Sequence, residues 1–156
     1  MADPVLSVTD LRTEFITRAG VVKAVNDVSF DLMPGETLGV VGESGSGKTV
    51  LSLSILGLVP NPPGRVVGGQ IILNGDDGPK DLTKLHEKQL REVRGDDIAM
   101  IFQDPMTSLN PVYKVGNQVA EPLLVHRGYS RSQANREAVE LLRRVGIANP
   151  ERRAKQ

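Results

Sequence analysis

An α/β fold is predicted by three features of this 156-residue sequence. Short apolar runs that read as strands alternate with stretches of helical period. Two of those runs, Thr37–Val41 (TLGVV) and Ile98–Phe102 (IAMIF), are short and nearly all apolar, as suits strands buried on both faces of a parallel sheet. A glycine-rich turn, Gly42–Thr49, joins the first of them to a helical stretch. The length suits one domain with a real core and is too short for two ordinary ones.

Taken in order, Val25, Val28, Phe30 and Leu32 alternate with polar residues and predict a strand with one wet face. Met33–Glu36 is a turn with Pro34 and Gly35 in their favoured places. A helix is predicted from Lys48 to Leu58, ended by Gly57 and by Pro60, Pro62 and Pro63. Gln70–Gly75 reads as a strand running into a turn, with Val67–Gln70 (VGGQ) as a turn before it. Leu82, Leu85, Leu90 and Val93 among charges predict a surface helix closed by Gly95. The stretch from Val112 is predicted to be helical as far as Pro122 and to break there. The last helix carries a Ser130/Gln133 capping box, with Ala134, Ala138, Leu141, Leu142 and Val145 on one face and Gly146 as its stop.

Composition narrows the function classes. The 19 basic and 19 acidic residues balance, so nothing points to a nucleic-acid partner, and scarce aromatics argue against base stacking. The absence of cysteine excludes disulfides and thiolate metal sites within these residues. The first ten residues show no signal-peptide pattern, and the most apolar window, Val50–Pro60, is too short for a bilayer span.

The chemistry concentrates in VVGESGSGKT. Gly42, Gly47, Lys48 and Thr49 satisfy G-x-x-x-x-G-K-[ST] between a predicted strand and a predicted helix. Glycines let the backbone wrap a phosphate where a side chain would clash, and amides from Glu43 through Ser44, Gly45, Ser46 and Gly47 to Thr49 then point inward. The helix start adds its positive dipole end. Lys48 reaches the outer phosphates and the Thr49 hydroxyl ligates Mg²⁺, so the motif predicts a bound nucleoside triphosphate with Mg²⁺. The alternative, a flexible Gly/Ser turn with an incidental lysine, does not account for the strand–loop–helix setting.

The segment IAMIFQDPMTSLNP, Ile98–Pro111, resembles the Q-loop of ATP-binding-cassette (ABC) ATPases. With the phosphate loop and FQDPMTSLNPVYKVGNQVAEPL, the sequence closely resembles the ATP-binding subunits of dipeptide, oligopeptide and nickel importers, from about Val5 onward. That resemblance implies a RecA-like P-loop core with an N-terminal antiparallel β subdomain, about residues 1–105, and the start of a helical subdomain, about 106–156. It also implies that Gln103 meets the magnesium site and that Phe15 takes the place of the aromatic residue that stacks on adenine. A phenylalanine packed under the sheet is the other reading of Phe15. The implied partners are transmembrane permease subunits, touched by the segment after Gln103, and a second ATP-binding subunit. The implied location is peripheral, on the cytoplasmic face of the inner membrane.

No residue is assigned as catalytic. VGGQ lacks the Leu-Ser of a signature loop, and His126 reads as a surface histidine. Asp104 after four apolar residues offers a Walker B alternative, which would suit a self-contained P-loop kinase, but Gln103 stands where the acid belongs and Pro105 follows. Since ELLRRVGIANPERRAKQ resembles the stretch leading into the signature motif, the expectation is an N-terminal half of an ABC ATPase domain. It would leave TLGVV and IAMIF partly uncovered, and would bind nucleotide with little turnover. The alternatives are a nucleotide-binding module without turnover and an ABC ATPase free of membrane partners.

Overall fold

The structure, a computed structural model, describes residues 3–104 and 108–156. The chain forms two compact units, Met1–Ile98 and Ala99–Gln156, each with its own cluster of buried side chains.

The first unit is built on a four-stranded antiparallel sheet in the order β2-β1-β3-β4. Its strands are β1 (Leu6–Thr17), β2 (Gly20–Leu32), β3 (Gly64–Gly75) and β4 (Gly78–Asp81). Along β1, burial falls on Leu6 and Val8 and then, one residue out of step, on Leu11 and Thr13. A register shift between Val8 and Leu11 absorbs the extra residue, which returns the apolar set to the inner face. Opposite that bulge, Gly69 sits at φ +90°, and a Cβ there would lie 2.5 Å from the Asp10 carbonyl oxygen. VGGQ is therefore a bulged stretch of β3 rather than the predicted turn. The turn at Met33–Glu36 forms as predicted, with the Glu36 amide donating to the Met33 carbonyl at 3.1 Å.

Two helices of this unit pack on the sheet: α1 (Lys48–Ile55) and α2 (Glu87–Val93). Leu51 from α1 and Leu90 and Val93 from α2 join Leu11 and Ile71 in the core. Each such side chain is worth roughly 1.5–3 kcal/mol when fully buried. The Thr13 and Ser54 hydroxyls, 2.8 Å apart and buried, tie α1 to β1. The helix predicted across Leu82–Gly95 is divided. Asp81 accepts from the Thr83 amide at 3.1 Å and holds Leu82–Lys84 as a 3-10 turn, Leu85 is extended, and α2 starts only after His86.

TLGVV and IAMIF are not strands. Val41 is 93% exposed and Ile101 97% exposed, and Ile98 makes only an isolated bridge to Arg94. An apolar run becomes a buried strand only when neighbours pair with its backbone and cover its faces. Among the described residues no strand of the sheet pairs with either run, although Ile98 packs against the core of the first unit.

The second unit contains α3 (Val115–His126), α4 (Arg131–Arg144) and α5 (Pro150–Arg153). Ala120 of α3 and Ala134 and Ala138 of α4 form its buried centre, flanked by Val119 and Leu123. The capping box is present: the Ser130 hydroxyl accepts from the Gln133 amide and the Ser130 amide donates to Gln133 Oε1 at 2.9 Å. Val145 leaves the apolar face, being the C-cap and 74% exposed. Contrary to prediction, α3 runs through Pro122. That proline is exposed, and the packing of Ala120 and Leu123 holds the helix against α4 across it. The start of α3 is capped by the chain itself, the Val115 amide donating to the Gln156 carbonyl at 2.8 Å and Gly116 to Ala154 at 2.9 Å. No helix among the described residues is long and apolar enough to cross a membrane.

Candidate functional site

Gly42–Thr49 follows a segment without regular secondary structure and opens directly into α1, whose N-cap is Gly47. Two of its glycines, Gly45 and Gly47, have φ of +82° and +94°, conformations that side chains other than glycine rarely adopt. Gly47 is doubly required, since a Cβ would stand 2.2 Å from the Ala24 carbonyl oxygen of β2. The sheet thus backs the loop and fixes where α1 begins. Gly47 offers no side chain to cap the first turn, so the helix start turns uncapped donors and its positive dipole end toward the loop.

Lys48 folds into the loop that it follows. Its Nζ donates to the carbonyls of Gly42 and Glu43, both at 2.7 Å, and approaches Ser46 Oγ at 3.4 Å. The ammonium is thereby held at the centre of the bend. Beside it lies a cleft of about 470 Å³, lined by Lys23, Ala24, Asn26 and Val28 of β2, by Val40–Gly42, and by Ser46–Lys48 and Leu51. Its lining combines two lysines, Ser46 and Asn26 with valines and Leu51, so both cationic and apolar groups face it. Thr49 is exposed in the first turn of α1.

The structure brings Gly42, Glu43, Ser44, Gly45, Ser46, Gly47, Lys48 and Thr49 into one bend. Phe15 belongs to the same unit but does not line the cleft; its half-buried ring lies over Gly64, where a Cβ would approach it to 2.7 Å. Gln103 and Asp104 are exposed and belong to the second unit, and the rest of the predicted bend, Pro105–Thr107, lies outside the described residues. His126 ends α3, half-buried rather than fully on the surface. Sequence reasoning missed Ala24 and Lys23. Ala24 serves through a backbone carbonyl, which carries no residue signature. Lys23 lies in an alternating strand, where a charge reads as the wet face.

Comparison with known proteins follows the same lines. The family described as ABC transporter matches residues 25–156. The chain is 52% identical over 151 residues to the oligopeptide transport ATP-binding protein OppD of Bacillus subtilis (strain 168), a match covering 97% of this chain and 41% of that protein. It is 49% identical over 154 residues to the dipeptide transport ATP-binding protein DppD of the same organism, covering 99% and 45% respectively. The chain therefore spans under half the length of these curated relatives. A solved dimeric ATP-binding cassette in a post-hydrolysis state, bound to ADP and Pi, matches with a TM-score of 0.76 at 22% identity, over 97% of this chain and 60% of that one. The fold of the described residues is thus that of an ABC ATPase cassette, in part. From the family match and these relatives, the chain belongs to the ABC transporter family.

Proposed function

We propose that the chain binds ATP with magnesium as the phosphate-gripping part of an ATP-binding subunit that energises peptide import. The observation that carries this is the bend Gly42–Thr49, with the Lys48 ammonium at its centre and the uncapped start of α1 behind it. In this reading the amides of Gly42–Thr49 and Lys48 hold the triphosphate, displacing the two carbonyls as partners of the ammonium. Fit to a polyanion is supported by Gly42, where a Cβ would stand 2.7 Å from Ser46 Oγ and 4.0 Å from the Lys48 ammonium and crowd the seat. Thr49 and Gln103 would hold Mg²⁺, which supplies charge neutralisation on the outer phosphates. Phe15 would stack on adenine, which requires its ring to leave Gly64. Peptide as cargo is supported by the names of the relatives, and permease subunits and a second ATP-binding subunit are the partners this assigns, at the cytoplasmic face of the membrane.

The sequence assigns no residue of this chain as a catalytic base, so binding with little turnover is the behaviour this reading expects. Calorimetric titration with ATP tests the proposal. Saturable one-site binding that requires magnesium and disappears in Lys48→Ala supports it, whereas heat independent of magnesium and of Lys48 contradicts it. Phosphate transfer that depends on an added acceptor would favour the kinase reading through Asp104.

A further inference from the structure

We propose that Arg94 is a positioning residue for the phosphate-binding helix, clamping the far end of α1 so that its first turn and Lys48 stay aimed at the nucleotide. The inference rests on the nucleotide-binding reading above. Arg94 follows α2, yet its donors reach the two residues that close α1 after Ile55: Nε donates to the carbonyl of the C-cap Leu56 at 2.7 Å and Nη2 to the Gly57 carbonyl at 2.8 Å. Those carbonyls lie where a helix runs out of its own donors and its dipole is negative, which suits a cation with two parallel N–H groups. The third side of the guanidinium is occupied as well, with Nη1 2.8 Å from Glu87 Oε1. Arg94 is 18% exposed and Glu87 57%, so the clamp is shielded toward the helix and open toward the carboxylate. Gly57 makes room for it, since a Cβ there would lie 3.1 Å from Nη2.

The geometry of α1 makes such a clamp matter. Only Leu51 and Ser54 of its residues are buried, and its other end is a loop of small residues. A helix of eight residues is about 12 Å long, so a tilt of about 5° at the clamped end moves the phosphate end by about 1 Å. Misplacement of about that size costs up to roughly a hundredfold in rate where a reaction depends on alignment, and concerted phosphate contacts depend on alignment in the same way. Arg94 also roots the chain that departs toward Gln103: in the bend after it, Gly95 donates to the Ile98 carbonyl at 2.9 Å and the Asp97 amide to Val93 at 3.0 Å. One side chain therefore joins the end of the phosphate helix to the start of that segment.

The test is titration of the purified chain with ribose-labelled fluorescent ATP and magnesium, comparing wild type, Lys48→Ala, Arg94→Ala, Arg94→Lys and Glu87→Gln below their melting temperatures. Wild type is expected to saturate and Lys48→Ala not to. Arg94→Ala is expected to bind about tenfold more weakly. Arg94→Lys should recover only part of the loss, because an ammonium cannot span two carbonyls as a fork does. Glu87→Gln should fall about twofold to threefold below wild type. An Arg94→Ala variant that melts earlier but binds like wild type reduces the residue to a stabilising contact and overturns the proposal. Should Arg94→Ala not fold, Glu87→Gln decides, since wild-type affinity there overturns it equally. Failure of wild type to bind overturns the nucleotide reading and this inference with it.

Discussion

Single residues do the most specific work in the phosphate bend. At Gly47, conformation and clearance coincide: the φ of +94° disfavours any side chain, and Ala24 stands 2.2 Å from where a Cβ would be. Gly47→Ala should therefore destabilise the first unit by about 1–3 kcal/mol and abolish nucleotide binding, as read by urea unfolding and titration. Asp81 shows a different kind of specificity. Burial alone would raise its pKa, but hydrogen bonds from the Thr83 hydroxyl, Lys84, Gln70 and the Thr83 amide outweigh that and hold it well below the usual carboxylate range. A carboxylate depressed in the folded state stabilises fully above its unfolded value, near 4, and loses that contribution as pH falls below it. Asp81→Ala should lower stability at pH 7 by about 1–2 kcal/mol and flatten the acid limb of the stability profile between pH 5 and 2, measured by urea midpoints across that range.

Elements were legible in the sequence where their information is local. The start of α1 after Gly47, the Met33–Glu36 turn and the Ser130/Gln133 cap each depend on a few neighbouring residues, and each forms as read. Thr37–Val41 and Ile98–Phe102 depend on strands beside them, and residue type alone does not supply those. The N-terminal sheet was partly hidden for another reason: bulges at Val8/Leu11 and near Gly69 break the two-residue alternation on which strand recognition relies. Arg94 was invisible because its partners are carbonyls nearly forty residues upstream. At Pro122 a strong local signal lost to packing. Pro122→Ala should restore a hydrogen bond inside α3 and stabilise the second unit by about 1–2 kcal/mol, visible as a higher urea midpoint of its helical signal. An unchanged or lower midpoint would mean that the proline is required by the packing of α3 on α4.

For the whole molecule, the chain divides into two compact units. The first holds the phosphate bend, the cleft beside it and Arg94, and the second holds Gln103 and the helices that follow. Each exposes apolar side chains that ordinarily sit in cores, Val41 in one and Ile101 and Phe102 in the other. The purified chain should accordingly self-associate as its concentration rises, in sedimentation velocity, and Val41→Lys with Ile101→Lys should reduce that association. A monomer at every concentration would mean that these runs find cover within the chain. The central claim is narrower: main-chain donors at Gly42–Thr49 and the Lys48 ammonium grip a triphosphate. It is tested most directly by following backbone amide resonances during titration with ATP and magnesium. The account predicts saturable shifts concentrated at Gly45–Thr49 and absent in Lys48→Ala. Saturation with shifts elsewhere, or no saturation at all, would contradict it.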